Sequence, residues 1–199
     1  MAGILRSKAA IVVVVVLGMV ALVSVTVARW QGSGDETPQV SAAEPSGADA
    51  APYLKAWDRP NTTDPKMYAT AYATAIWSYD STVHGYFDWQ DAVKMFADPM
   101  DTGGPRVAGS MLPDFGQWEQ LDLHDSKATV ADVSAETPPA LTRLQRLPQT
   151  PRGWHGFVVR GQQTNVIDDQ PRVAERSVTV AVVCTPQCRF WSASAEGPL

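Results

Sequence analysis

Residues 154–188, WHGFVVRGQQTNVIDDQPRVAERSVTVAVVCTPQC, decide the fold of this chain. Two runs rich in Val, Thr and aromatic residues, Trp154 to Ile167 and Arg172 to Cys184, have the composition of β-strands. Between them Asp168-Asp169-Gln170-Pro171 is a turn composition, so the two runs are expected to pair as an antiparallel hairpin. A last strand, Cys188 to about Ala195, is expected to return beside its predecessor.

Upstream of the hairpin the pattern changes to helix. Asp64-Pro65 is a helix start, because Asp caps free amides and Pro at the first helical position gives up an amide that had no partner. Tyr68, Ala71, Tyr72, Ala75, Ile76 and Tyr79 recur at helical spacing, with Trp77 at the edge of that face, which predicts a helix to about Asp80. A second, short helix fits Asp88 to Asp98, with Asp88 as cap and Trp89, Ala92, Val93 and Phe96 on one side. Gly103, Gly104, Pro105, Gly109 and Pro113 predict a loop with at most one helical turn over 100–113. From about Trp118 the sequence reads as strand, followed by a Pro-bounded stretch from Pro138 to Pro151. Helices first and strands after predict an α+β domain, with helices packed on one face of a curved antiparallel sheet.

The amino-terminal quarter has another character. Ala9 to Ala28 is a run of 20 uncharged residues, and at about 1.5 Å per residue it matches the roughly 30 Å hydrocarbon core of a bilayer. Arg6 and Lys8 precede it and only Arg29 follows closely, so the positive-inside rule places residues 1–8 in the cytoplasm as a stub and residues 9–28 as a single transmembrane helix. A cleaved signal peptide is the alternative, with Thr26-Val27-Ala28 as a loose cleavage site. The length of the apolar run and Thr26 favour an anchor. Residues 29–52 are expected to be a disordered tether; its 22 residues from Gln31 to Pro52, rich in Gly, Ser, Ala, Pro and acids, have a reach of roughly 25–28 Å as a flexible coil. Residues 53–199 are then one extracytoplasmic domain at the cell membrane. That domain holds 13 Lys and Arg against 17 Asp and Glu, a net charge of −4, without a basic block, which argues against direct nucleic-acid binding.

Cys184 and Cys188 are the only cysteines, and outside the membrane they can oxidise. A disulfide across the Thr185-Pro186-Gln187 turn is expected, acting as a staple of strand register; a redox centre would need the Cys-x-x-Cys spacing at a helix start. His84, His124 and His155 are isolated and show no ligand spacing, so no metal is expected, and no cofactor either. No Gly-x-Ser-x-Gly or phosphate-cradling loop is present. Tyr68, Tyr72, Tyr79 and Asp80 could line an acid–base cavity, although core packing explains the tyrosines as well, and Asp168 and Asp169 fit a solvated turn. Asn61-Thr62-Thr63 matches a glycosylation acceptor, which matters only in a eukaryotic secretory pathway. Trp57, Trp77, Trp89, Trp118, Trp154 and Trp191 are expected as core or interface anchors.

A short cytoplasmic start, one span, a tether, the string YATAIWSYDS at 72–81 within a Tyr/Ala/Trp helix (Tyr68 to Asp80), a Trp-bearing second helix and the string VAVVCTPQCRFW at 180–191 together resemble the nuclear transport factor 2-like superfamily. Within it the organisation is similar to that of bitopic scaffold proteins of conjugation and type IV secretion, the TcpC family of Gram-positive conjugative elements among them. Five Lys against eleven Arg, with abundant Ala, Val and Pro, also resemble proteins of GC-rich bacteria such as actinobacteria. The resemblance implies a cone-shaped domain and a non-enzymatic scaffold in a DNA-transfer apparatus, with membrane lipid and other membrane proteins of the transfer complex as partners and a possible homo-oligomer. Mce-associated membrane proteins share the same plan and imply an accessory role in lipid import. A cavity-type enzyme or small-ligand binder is the third reading. TcpC relatives often carry two such domains, whereas this chain has room for one.

Overall fold

The structure is a computed structural model and describes residues 53–195. The expected stub, span and tether lie outside the described residues. Among the described residues no helix is long and apolar enough to cross a membrane.

Asp64 accepts from the amides of Lys66 and Met67 at 2.9 and 3.3 Å, and helix α1 runs over Pro65–Trp77 as the capping chemistry predicts. It stops three residues before Asp80. Ser78 is extended, and Tyr79–Asp80 form a short strand β1, paired with Ala128 and Lys127. The sheet edge supplies the hydrogen bonds that another helical turn would have made.

Helix α2, Tyr86–Lys94, begins before Asp88 and ends before Asp98. Asp88 is its third residue, and its carboxylate reaches back to the Gly85 amide at 2.8 Å, so the acid closes the helix start from inside the first turn. The Gly- and Pro-rich segment contains a short helix α3, Gly104–Gly109, begun by Pro105.

The reading of strand from Trp118 is corrected. Phe115–Leu123 form helix α4, and strand β2 begins only at Lys127 and runs to Glu136. Asp114 and Gln117 bond reciprocally, each side chain to the other's amide, at 2.8 and 2.9 Å, and this capping box outweighs the β-forming residues that follow. The Pro-bounded stretch holds a further helix α5, Pro139–Gln145.

The expected meander is present. Strands β3 (Trp154–Ile167), β4 (Gln170–Cys184) and β5 (Cys188–Ala195) follow, and the sheet order is β1-β2-β3-β4-β5 with every neighbouring pair antiparallel. The hairpin turn is tighter than four residues. Asp168 and Asp169, at φ 49° and 59°, make a two-residue turn, and Gln170 and Pro171 already face Ile167 and Val166. Register shifts at Ala131/Ser134 and Ala181/Val182 mark bulges, which bend the sheet into a curved half-barrel.

Helices pack on that sheet. Tyr68, Ala69, Tyr72, Ala73, Ala75, Ile76 and Trp77 of α1 are buried in a core with Val159, Val178, Val180, Val182 and Phe190 of the strands. Aromatic contacts bind the layers together: Tyr72 meets Phe190 at 4.5 Å and Phe96 at 5.6 Å, and Tyr79, Trp89 and Trp118 form a triangle with centroid distances of 5.1–5.7 Å. Trp57 is fully buried, with its indole N–H on the Ser78 carbonyl at 2.8 Å. The Trp89 N–H is likewise donated to the Ala75 carbonyl at 2.7 Å. Polar tips are thus satisfied by main chain while the rings fill the core. Arg189 of β5 pairs with Asp98, and the Phe190 amide donates to the Phe96 carbonyl at 3.1 Å, which fastens the edge strand to the end of the helical layer.

Candidate functional site

Beside the filled core a half-open cavity of about 640 Å³ lies between the end of α1, the α3–α4 region and the β3–β4 strands. Ile76, Trp77, Tyr79, Trp89, Met111, Leu121 and Ile167 provide its apolar wall, and Gln117, Gln163, Asn165, Glu175 and Arg176 its polar one. Strand alternation explains the polar row. Gln163 and Asn165 are two apart on β3 and share a face, and Arg176 pairs with Gly161, two residues before Gln163 on that same face. Glu175 alternates with Arg176 along β4.

Three hydrogen bonds give this row a fixed polarity. Arg176 Nε donates to Gln163 Oε1 at 2.6 Å, and a guanidinium has no acceptor to offer. Gln163, 5% exposed, must therefore present oxygen to the arginine, and its Nε2 donates to the Trp77 carbonyl at 2.7 Å. Asn165 Nδ2 donates to the same Gln163 oxygen at 3.3 Å. The orientation of Asn165 follows, and its Oδ1 is a buried acceptor without a hydrogen-bond partner.

Tyr79 lies in the same cross-strand row as Asn165, with Ala128 between them, and packs on Trp89 and Trp118. Burial pushes its phenol pKa above the ordinary value, and the positive charge of Arg176 acts in the other direction. It is neutral at physiological pH. Among the described residues its hydroxyl has no hydrogen-bond partner, so it remains available as a donor at the cavity.

Gly161 makes room for this wall. A Cβ there would lie 3.3 Å from the Trp77 ring and 3.0 Å from a Val130 methyl, so the missing side chain lets the indole rest on the sheet.

The other tyrosines of α1 do not reach the cavity. Tyr68 donates to the Phe96 carbonyl, and Tyr72 to the Ala108 carbonyl at 2.8 Å. Burial raises both phenols, that of Tyr68 to about 12 and that of Tyr72 further. Asp80 accepts from the amide and hydroxyl of Thr82 at 3.1 and 2.6 Å and belongs to a turn. Of the four residues considered for an acid–base cavity, only Tyr79 lines it.

No family model, curated protein or solved structure matches this chain.

The remaining candidates are dispersed over the fold. Cys184 and Cys188 face one another in the β4–β5 register with their sulfurs 2.04 Å apart, at disulfide distance. His84 is buried 4.8 Å from the Trp57 ring, His124 meets Asp168 at 3.1 Å, and His155 meets Gln145 at 3.2 Å. Among the described residues no group of three His, Cys, Asp or Glu is placed to hold a metal. Asp168 is tied to His124 and Asp169 completes the turn, so the pair is a hairpin tip. Trp57, Trp77, Trp89 and Trp118 are buried, Trp154 is half-buried, and Trp191 is exposed.

Gln163, Asn165 and Arg176 were not singled out by the sequence. Their signal was faint but present: polar residues at 163 and 165, on the strand face whose earlier members pack inward, mark a place where the face leaves the core. Phe87 and Phe115 were also missed. They stack at 5.9 Å while remaining 64% and 48% exposed, with Tyr86 beside both.

Proposed function

We propose that this chain is a single-pass membrane protein whose extracytoplasmic domain serves as a non-enzymatic scaffold in a conjugative, type IV secretion-like DNA-transfer complex. In this reading the domain belongs with the cone-shaped nuclear transport factor 2-like proteins, with the amino terminus cytoplasmic and residues 9–28 in the bilayer. The observation that carries it is the Phe87–Phe115 pair. Two stacked aromatic rings held in solvent form an apolar patch, and such patches are characteristic of protein-contact surfaces. The partners are other membrane proteins of the transfer complex.

A photo-crosslinking residue at position 87, introduced into the full chain in intact membranes, tests the reading. Adducts with other transfer-apparatus proteins are expected, together with a transfer defect on deletion. Recovery of the uncrosslinked chain alone, with normal DNA transfer in the deletion strain, would sink the proposal. Crosslinking to lipid-import permease components would replace it by the Mce-associated alternative.

A further inference from the structure

We infer that the cavity between Trp77, Tyr79 and the β3–β4 strands is a binding site for a carboxylate that carries an apolar group. An acylated amino acid and a peptide carboxyl terminus both have that chemistry.

Each part of the ligand answers a feature of the wall. Arg176 supplies a positive charge and a planar donor fork, of which Nε is engaged by Gln163. Tyr79 lines the same cavity and adds a neutral hydroxyl donor. Together they provide what a carboxylate needs. Ile76 and Met111 line the same space and suit an aliphatic side chain.

At about 640 Å³ the cavity lies within the ordinary range of small-molecule sites and admits one or two residues of a peptide. It is also half-open, so a longer chain can leave through the mouth. The inference is independent of the scaffold reading, because crosslinking at Phe87 can fail while binding here stands.

Isothermal titration calorimetry on the purified full chain tests it, with N-acetyl-leucine, an acetylated pentapeptide ending in leucine, and the same pentapeptide as its carboxyl-terminal amide. Saturable binding of at least one acid is expected, with the amide weaker by about tenfold or more because it lacks the charge-assisted bonds. Arg176→Gln should lose about tenfold or more toward the acid and leave the amide little changed. Tyr79→Phe, which keeps the ring against Trp89 and Trp118, should lose severalfold. Tighter binding of the pentapeptide than of N-acetyl-leucine assigns the site to a protein terminus, and equal binding assigns it to the small acylated amino acid. Either supports the site. Equal affinity for acid and amide, undiminished binding by a folded Arg176→Gln chain, or no saturable binding of either acid into the millimolar range would overturn it.

Discussion

The amide of Cys184 donates to the carbonyl of Gly153 at 2.9 Å, and Gly153, at φ 76°, is placed so that a Cβ would come within 2.3 Å of the Cys184 carbonyl oxygen. The start of β3 and the end of β4 therefore approach each other through a residue that must lack a side chain. Gly153→Ala meets both the left-handed backbone penalty and a clash with main chain that cannot rotate away. A loss of about 2–4 kcal/mol is expected, read as a lower denaturation midpoint. A midpoint unchanged from wild type would refute this account of the hairpin base.

Gly161 has a milder constraint. Its backbone is ordinary, but Ala at this position presses on Trp77 and on the methyls of Val130 and Val133. Overpacking of this kind costs about 1–3 kcal/mol. The shift should be accompanied by a change in tryptophan emission, because the displaced ring borders the cavity. Emission and midpoint both like wild type would show that the neighbours absorb the methyl freely.

Alkaline pH acts on the buried phenols. The unfolded chain ionises its tyrosines near pH 10, whereas Tyr68 in the fold holds its proton to about 12. Between those values the unfolded state binds fewer protons, so stability is complete below pH 10 and falls as pH rises toward 12. Tyr68→Phe should flatten part of that fall. At neutral pH it removes one hydrogen bond but leaves the Phe96 carbonyl paired with the Phe190 amide, so the cost should be near 1 kcal/mol. Thermal melts from pH 8 to 11 on both chains decide it: equal slopes would contradict the assignment.

For the cysteine pair a small effect is expected. Only three residues separate Cys184 from Cys188, so the bond removes little freedom from the unfolded chain, and the β4–β5 register is also held by the ladder that pairs Val183 with Arg189 and Val182 with Phe190. Replacing both by serine should cost at most about 2 kcal/mol, with the far-ultraviolet circular dichroism preserved. Loss of the folded signal would mean that the pair does more than fix register.

These elements differ in how openly the sequence announced them. The hairpin was legible because Val, Thr and Ile accumulate on both sides of Asp168-Asp169, and α1 because Asp64-Pro65 leaves few alternatives to a helix start. The strand expected from about Trp118 fails for a local reason: the Asp114 to Gln117 spacing is a capping signal, and Trp118 lies on the buried face of a helix. Asp88 was recognised as a helix-start residue, yet it acts from the third position, since Gly85 leaves the cap without a side chain. The cavity was hidden more deeply. Gln163 and Arg176 meet only when two strands pair in one register, and Tyr79 joins them only because α1 ends early. Pairing across strands is not written in either strand alone.

Among the described residues β5 accompanies β4 only from Val178 onward, so Gln170–Ser177 have β3 on one side and no strand on the other. Such a rim is a template on which a stray chain can add and begin aggregation. Here it is guarded in two ways: Pro171 withholds an amide, and Arg172, Glu175 and Arg176 would each have to shed water before another strand could lie alongside. This part of β4 can therefore stand as a sheet edge without recruiting its neighbours.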